Sequence, residues 1–255
     1  MVYHHLPFFF LSVCSSVLHI IGVSMLLSNF GVVEYNCWHF LPMIIYIDNI
    51  SKMSQLISAV ILAAGSSHRL GKPKQLLPLG ETTFLERTVA SILDSRVDEV
   101  IVVLGYRAEE MARLISGQLI TIAVNPDYRQ GMSTSVLAGL KLVNQEAQGI
   151  IFVLADQPLV DSATVNRLLE NFGSQEKDII IPTYHGRRGN PVVFSTAYKN
   201  ELMQLTGDVG GRAVIAQHPD RVLELPVDCE GVVIDVDTWN SYHMVTEKLR
   251  RKESD

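Results

Sequence analysis

Arg69 and Lys74 stand a few residues beyond Gly65 in the stretch S-A-V-I-L-A-A-G-S-S-H-R-L-G-K-P-K-Q-L-L-P-L, residues 58–79. Two cations downstream of a small, glycine-containing turn suit a polyphosphate. The amides of Gly65, Ser66 and Ser67 can point at phosphate oxygens as a nest, while Arg69 and Lys74 supply positive charge. Ala63, Ala64 and Gly65 leave room for a ligand to approach the backbone. Two commoner glycine loops do not fit. A dinucleotide fingerprint needs G-x-G-x-x-G, and only Gly65 and Gly71 are present. The gap from Gly65 to Gly71-Lys72 is one residue longer than in a P-loop, and Pro73 stands where the magnesium-binding hydroxyl would be. Pro73 also biases Lys72 toward an extended backbone, so the loop is expected to carry Lys74 back over the phosphates.

Four further groups carry chemistry. Asp156 leaves the apolar run Ile150–Leu154 just before Pro158, either as a turn former or as a carboxylate facing a ligand crevice. Asp235 and Asp237 follow Gly231–Ile234, and alternation would put both on one side; Asp237 with Thr238 also reads as the cap of a C-terminal helix. The loop Asn125–Ser135 holds hydroxyls at a helix start. They read as plain caps, or as groups offered to a nucleotide base, because ligands of open α/β sheets bind beyond the carboxyl ends of strands. Arg187 and Arg188 mark a basic hairpin tip that is either solvated or suited to a substrate phosphate.

These groups need strands to deliver them. Continuous apolar runs at 59–62, 99–104, 120–124 and 150–154 are the mark of strands covered on both faces. Amphipathic helices alternate with them: one opened by the capping box Thr83-x-x-Glu86, one over 108–115, one from the 125–135 loop to about Glu146, and one capped by Asp161-Ser162. The runs 178–182 and 191–194 flank the basic hairpin, and strands are expected at 222–226 and 231–234 before a final helix. The pattern predicts an α/β fold, a mostly parallel, doubly wound sheet with helices on both faces.

With those residues in view, A-A-G-x-S-x-R-x-G-x-P-K-Q-L-L resembles the signature of nucleotidyltransferases. The A-A-G and P-K variant is similar to the molybdenum cofactor cytidylyltransferase branch of the MobA-like family, from about Met53 to the C-terminus. The resemblance implies a Rossmann-like nucleotidyltransferase that uses magnesium, takes CTP, and transfers CMP to the phosphate of molybdenum-bound molybdopterin. It implies a nucleotide role for Ala63, Ala64, Gly65, Ser66, Arg69 and Lys74, and, through G-M-S-T-S-V-x-A-G-L, for Asn125, Ser133 and Ser135. Through L-A-D-Q-P-L it implies metal binding by Asp156, with Asp235 and then Asp237 from D-V-D-T. Arg69, Lys74 and Asp156 are the expected catalytic groups. Arg187, Arg188, Asn190, Asp208 and Arg212 are expected on the acceptor side, the last two from G-D-V-G-G-R. Two departures stand out: R-G-N-P replaces the family's R-G-H-P, and Trp239-Asn240-Ser241 replaces its P-E-D. Rival readings are a sugar- or alditol-phosphate nucleotidylyltransferase and a molybdenum cofactor-carrying chaperone for a target enzyme. A molybdenum hydroxylase is the partner the resemblance suggests.

Composition narrows the field. A net charge of −6 argues against a general nucleic-acid binder and makes the clustered cations local in purpose. Three cysteines, Cys14, Cys37 and Cys229, lack metal-ligand spacing, and a cytoplasmic setting is expected. Residues 1–52 differ from the rest: 6–30 is long and apolar enough to span a bilayer, with a second apolar patch at 40–47. No Lys or Arg precedes Lys52, which removes the positive flank of an anchor or signal peptide. The expected domain is therefore 53–255 with a start at Met53, and a membrane anchor is the other reading of 1–52.

Overall fold

Ile57–Ala63 (β1) is a strand whose alternate side chains feed two separate cores. Ile57, Ala59, Ile61 and Ala63 pack into one, and Val60 into the other. That double burial explains the unbroken apolar run. The computed structural model describes residues 55–66, 70–173 and 177–252. The apolar segment 1–52, the start expected at Met53, and Arg69 lie outside the described residues, which belong to one unit, Ser54–Asp255.

A two-stranded ribbon, Pro78–Leu79 (β2) and Thr82–Thr83 (β3), leads into Phe84–Leu93 (α1). The capping box is present: Glu86 N donates to Thr83 Oγ1 (3.3 Å), and Thr83 N donates to Glu86 Oε2 (2.8 Å). Thr83→Ala is expected to cost about 1 kcal/mol, read as a lower denaturant midpoint at unchanged slope; an unshifted midpoint would show that the cap is idle.

The chain continues through Glu99–Leu104 (β4), Ala108–Leu114 (α2), Thr121–Val124 (β5), Met132–Leu140 (α3), Gly149–Leu154 (β6) and Ser162–Asn171 (α4). Ile179–Tyr184 (β7), Arg187–Arg188 (β8) and Val192–Ser195 (β9) follow, then Lys199–Met203 (α5), Arg212–Gln217 (α6), Val222–Pro226 (β10) and Trp239–Lys252 (α7). The main sheet runs β10-β7-β9-β6-β1-β4-β5, with β8 paired to β7. Its pairs are parallel except at β9, which is antiparallel to both neighbours, and at the β7–β8 ribbon.

Leu85, Val89 and Ile92 of α1 with Val165 and Leu168 of α4 cover one face; Val136 and Leu140 of α3 with Val214 and Ile215 of α6 cover the other. The sheet is doubly wound and mostly parallel, as the alternation of runs predicts. A third core under α7 holds Leu70, Leu79, Phe84, Val236 and Val245. The chain steps outward from β1 to β4 and β5, then returns to β6 on the opposite side of β1. That reversal opens a crevice at the carboxyl ends of β1 and β6.

Two expectations need correction. The third helix ends at Leu140 instead of near Glu146, because Asn144 closes a turn: its amide donates to Glu99 Oε2 (3.1 Å) and its Oδ1 accepts from Glu146 N (2.9 Å). The apolar run 231–234 is no strand but lies in a 3-10 turn, Glu230–Val233. This segment crosses the strand ends and spends its polar groups there: Asn190 N donates to Val232 O (2.9 Å) and Val236 N to Asp156 O (3.2 Å). Burial alone made it look like a strand. No helix among the described residues is long and apolar enough to cross a membrane.

Candidate active site

The crevice holds a cleft of about 640 Å³, within the range of nucleotide-sized pockets. Leu62 and Leu154, from the ends of β1 and β6, line it, as do Ala64, Gly65 and Ser66. Close backbone packing shapes one wall. A Cβ on Gly105, just past β4, would come within 2.8 Å of Ala64 and of Tyr128 Cβ, so only glycine lets the β1 loop and Tyr128 close together. Gly131 has φ +117° and presses on the Gly207 backbone, where a Cβ would sit 2.4 Å from its carbonyl. This contact seats the glycine-rich 207–211 loop against the start of α3, and Ser133 N donates to Gly207 O (3.2 Å).

Pro73 starts a 3-10 turn, Lys74–Leu76, that brings Lys74 into the cleft. The Lys74 ammonium lies between two carboxylates, donating to Asp156 Oδ2 and to Asp237 Oδ1 (2.9 Å). The Lys74 and Asp156 side chains are 15% and 17% exposed, against 48% for Asp237, so the Asp156 contact is the sheltered one. Burial draws the Lys74 pKa down, but the two carboxylates outweigh it and hold the ammonium above its usual value. Burial pushes the Asp156 carboxyl up; Lys74 opposes this, while Asp235 and Asp237 add to it. Thr238 Oγ1 accepts from Ser241 N (3.2 Å) and caps α7, leaving the Asp237 carboxylate to Lys74.

Among the described residues, no group of three or more His, Cys, Asp or Glu is arranged to hold a metal ion. The donor chemistry nevertheless fits magnesium. Asp235 and Asp237 both lie near enough to raise the Asp156 carboxyl, hard carboxylate oxygens suit a small divalent cation, and a cation, the Lys74 ammonium, already bridges two of the three. Asp235 is held from another side, accepting from Gln157 Nε2.

The other expected residues divide. Asn125 is buried and acts from behind: its Nδ2 donates to Thr134 Oγ1 (2.9 Å) and Ser135 Oγ (3.0 Å), and its Oδ1 accepts from Asp127 N (3.0 Å). Ser135 lines the cleft, whereas Ser133 is buried outside its lining. Asp208 lines the cleft and accepts from Met132 N (3.2 Å). Arg187, Arg188, Asn190 and Arg212 are not part of the lining. Arg188 is paired with Glu224, Nη2 to Oε1 at 2.6 Å, and Asn190 sits beside Val232 on the segment that leads to Asp235.

Sequence reasoning missed Gln75, Tyr128 and Arg129. Gln75 is buried and its Nε2 donates to Gly65 O (3.2 Å), which steadies the β1 loop. Arg129 lies over the Tyr128 ring, 5.3 Å from its centroid, at the cleft wall. Gln75 was readable as the polar residue inside P-K-Q-L-L; nothing in the sequence distinguished Tyr128.

Residues 59–222 match the MobA-like NTP transferase domain. The chain belongs to this family. The MobA-like match spans β1 to the start of β10, and so includes the whole crevice except the segment carrying Asp235 and Asp237. Over 194 residues the chain is 31% identical to nicotine blue oxidoreductase of Paenarthrobacter nicotinovorans, covering 71% of this chain and 92% of that protein. Over 198 residues it is 28% identical to molybdenum cofactor cytidylyltransferase of Escherichia coli (strain K12), covering 77% and 98%. The crystal structure of Rv0371C complexed with manganese, from Mycobacterium tuberculosis H37Rv, superposes with a TM-score of 0.66 at 32% identity, covering 76% of this chain and 100% of that one. The chain is thus a MobA-like member of the nucleotidyltransferase enzymes.

Proposed function

We propose that this MobA-like chain transfers CMP from CTP to the phosphate of molybdenum-bound molybdopterin and releases pyrophosphate. The observation that carries the reading is the meeting of Lys74 and Asp156 in the cleft at the ends of β1 and β6, with Asp237, outside the lining, as the second partner of the ammonium. An oxygen of the acceptor phosphate attacks the α-phosphorus in line. The bond to the bridging oxygen breaks, and its electron pair leaves with pyrophosphate. Catalysis is then positioning and charge stabilisation, with no nucleophilic side chain required.

Magnesium, when bound, would supply charge neutralisation at the phosphate oxygens; it commonly needs only one or two carboxylates beside substrate phosphates, and Asp156 with one of Asp235 and Asp237 would provide them. Lys74 exchanges partners in the cycle, leaving the carboxylates for the triphosphate, where Arg69 joins it. The backbone of Ala63, Ala64, Gly65 and Ser66 lies along the phosphates. Asn125 holds Ser135 toward the base, and Ser133 anchors the helix start to Gly207. The hairpin residues Arg187, Arg188 and Asn190 take the acceptor side because the hairpin leans on the segment before Asp235; Arg188 would first release Glu224. Asp208, within the 207–211 loop, and Arg212, directly after it, take the acceptor side as well. A molybdenum hydroxylase in the cytoplasm would receive the finished cofactor.

The name of the Escherichia coli relative supports the cytidylyl reading, and the manganese in the Rv0371C structure supports a divalent cation. The Paenarthrobacter relative bears an oxidoreductase name, yet the loop at Gly65 lacks the G-x-G-x-x-G spacing of a dinucleotide fingerprint. The test is product identity. With CTP, magnesium and molybdenum-loaded molybdopterin, mass spectrometry should find the acceptor enlarged by CMP; a GMP adduct with GTP in preference to CTP would overturn the nucleotide assignment.

Ser135 gives a finer check. A cytosine edge offers a carbonyl, a ring nitrogen and an amino group, which hydroxyls and backbone groups can match. Ser135→Ala should lower the CTP over GTP preference in kcat/KM by an amount worth about 1 to 3 kcal/mol, the cost of one unpaired buried group. An unchanged preference would take Ser135 out of base selection.

A further inference from the structure

Gln157 is 3% exposed and follows Asp156 in the turn that leaves β6. Its main chain is fixed on both sides: Gln157 N donates to Leu154 O (3.2 Å), and Val160 N donates to Gln157 O (3.2 Å). The side chain reaches across to the segment that carries the other two carboxylates. Nε2 donates to Asp235 Oδ1 and to Val232 O (3.4 Å). We infer that Gln157 is a positioning residue whose amide ties Asp235 beside Asp156, and so sets the carboxylate spacing on which divalent-cation binding depends. This rests on the metal reading given under Proposed function.

Three observations support the assignment. Asp235 is exposed, so without a tie its carboxylate would turn freely in water. The main chain supplies a second tie one residue on, Val236 N to Asp156 O (3.2 Å), which fixes the segment but not the Asp235 side chain. Gln157 Oε1 is buried and finds no hydrogen-bond partner among the described residues. An amide packed only to fill space would gain by being apolar, since an unpaired buried acceptor is costly; its NH₂ end is the part that is used. Glutamate would not substitute, because a carboxylate there would face the Asp235 carboxylate.

Residues that orient metal ligands typically matter about 10- to 100-fold in metal affinity. The experiment is manganese binding alone, with no nucleotide, followed by electron paramagnetic resonance on the full chain and on Gln157→Met, Gln157→Glu, Asp235→Asn and the double variant Gln157→Met/Asp235→Asn. Thermal melts verify that each is folded. Gln157→Met should weaken manganese binding by about tenfold or more, and Gln157→Glu at least as much. The double variant should bind no more weakly than Asp235→Asn, because once Asp235 is gone there is nothing left to position. Wild-type manganese affinity in folded Gln157→Met, or in Gln157→Glu should the methionine variant not fold, overturns the inference while leaving the metal reading intact. Fully additive losses in the double variant overturn it as well, pointing to a general structural role. No manganese binding by the unaltered chain, or unchanged binding in Asp156→Asn, overturns the metal reading and this inference with it.

Discussion

Asp156→Asn is expected to lower nucleotidyl transfer by about a thousandfold or more while the protein stays folded. The carboxylate is delivered by the carboxyl end of β6, and its backbone oxygen, not its side chain, accepts from Val236 N. Asparagine keeps the volume and leaves an oxygen for Lys74, so packing is little disturbed. What it removes is the negative charge in the sheltered part of the cleft. Metal-assisted stabilisation of the transition state amounts to several kcal/mol, and each 1.4 kcal/mol or so is about tenfold in rate. Alanine would be a harsher choice, because it leaves the Lys74 ammonium without its more buried partner. Turnover should be followed as pyrophosphate release, with circular dichroism to verify the fold. A folded Asp156→Asn protein with a tenth or more of the normal rate would remove Asp156 from the site.

Lys74→Ala is the second large effect, expected to reduce kcat by about a hundredfold or more, the scale of losing one group that stabilises developing charge. The loss is expected on kcat more than on KM: the ammonium pairs with Asp156 and Asp237 in the chain without nucleotide, and under the proposed mechanism its gain comes from the charge that develops on phosphate. Lys74→Arg should restore little. A guanidinium is planar and wider than an ammonium, and the gap between the two carboxylates is built for a compact charge. Lys74→Ala also leaves a buried carboxyl that burial already pushes up, so a lower melting temperature should accompany the rate loss. Wild-type kinetics in either variant would show that the lysine does nothing for the triphosphate.

The sheet and the place of the cleft at its strand ends were legible because parallel strands buried on both faces leave an unmistakable record. The runs at 59–62, 99–104 and 150–154 coincide with β1, β4 and β6, and the strand ends then locate Gly65 and Asp156. The run at 231–234 misled for the same reason it was noticed. Val232 is fully buried, but by crossing the strand ends instead of joining them, and composition cannot tell these apart. The pairing of Asp237 with Lys74 was likewise out of reach, because contacts between distant parts of a chain leave no local pattern. Asn125 shows a different limit. A polar residue beside a helix start reads as a ligand contact, yet here it is spent on Thr134 and Ser135, one step behind the cleft. Gln157, inside L-A-D-Q-P-L, carries no sign of its role in the sequence, since nothing in a glutamine's neighbours says which carboxylate it will reach.

The decisive measurement is pyrophosphate release with CTP, magnesium and molybdenum-loaded molybdopterin, run beside GTP and beside a control lacking the acceptor. Acceptor-dependent release that favours CTP and is lost in Asp156→Asn is the expected result. Absence of release with every nucleotide, or release that the folded Asp156→Asn protein retains in full, would contradict it.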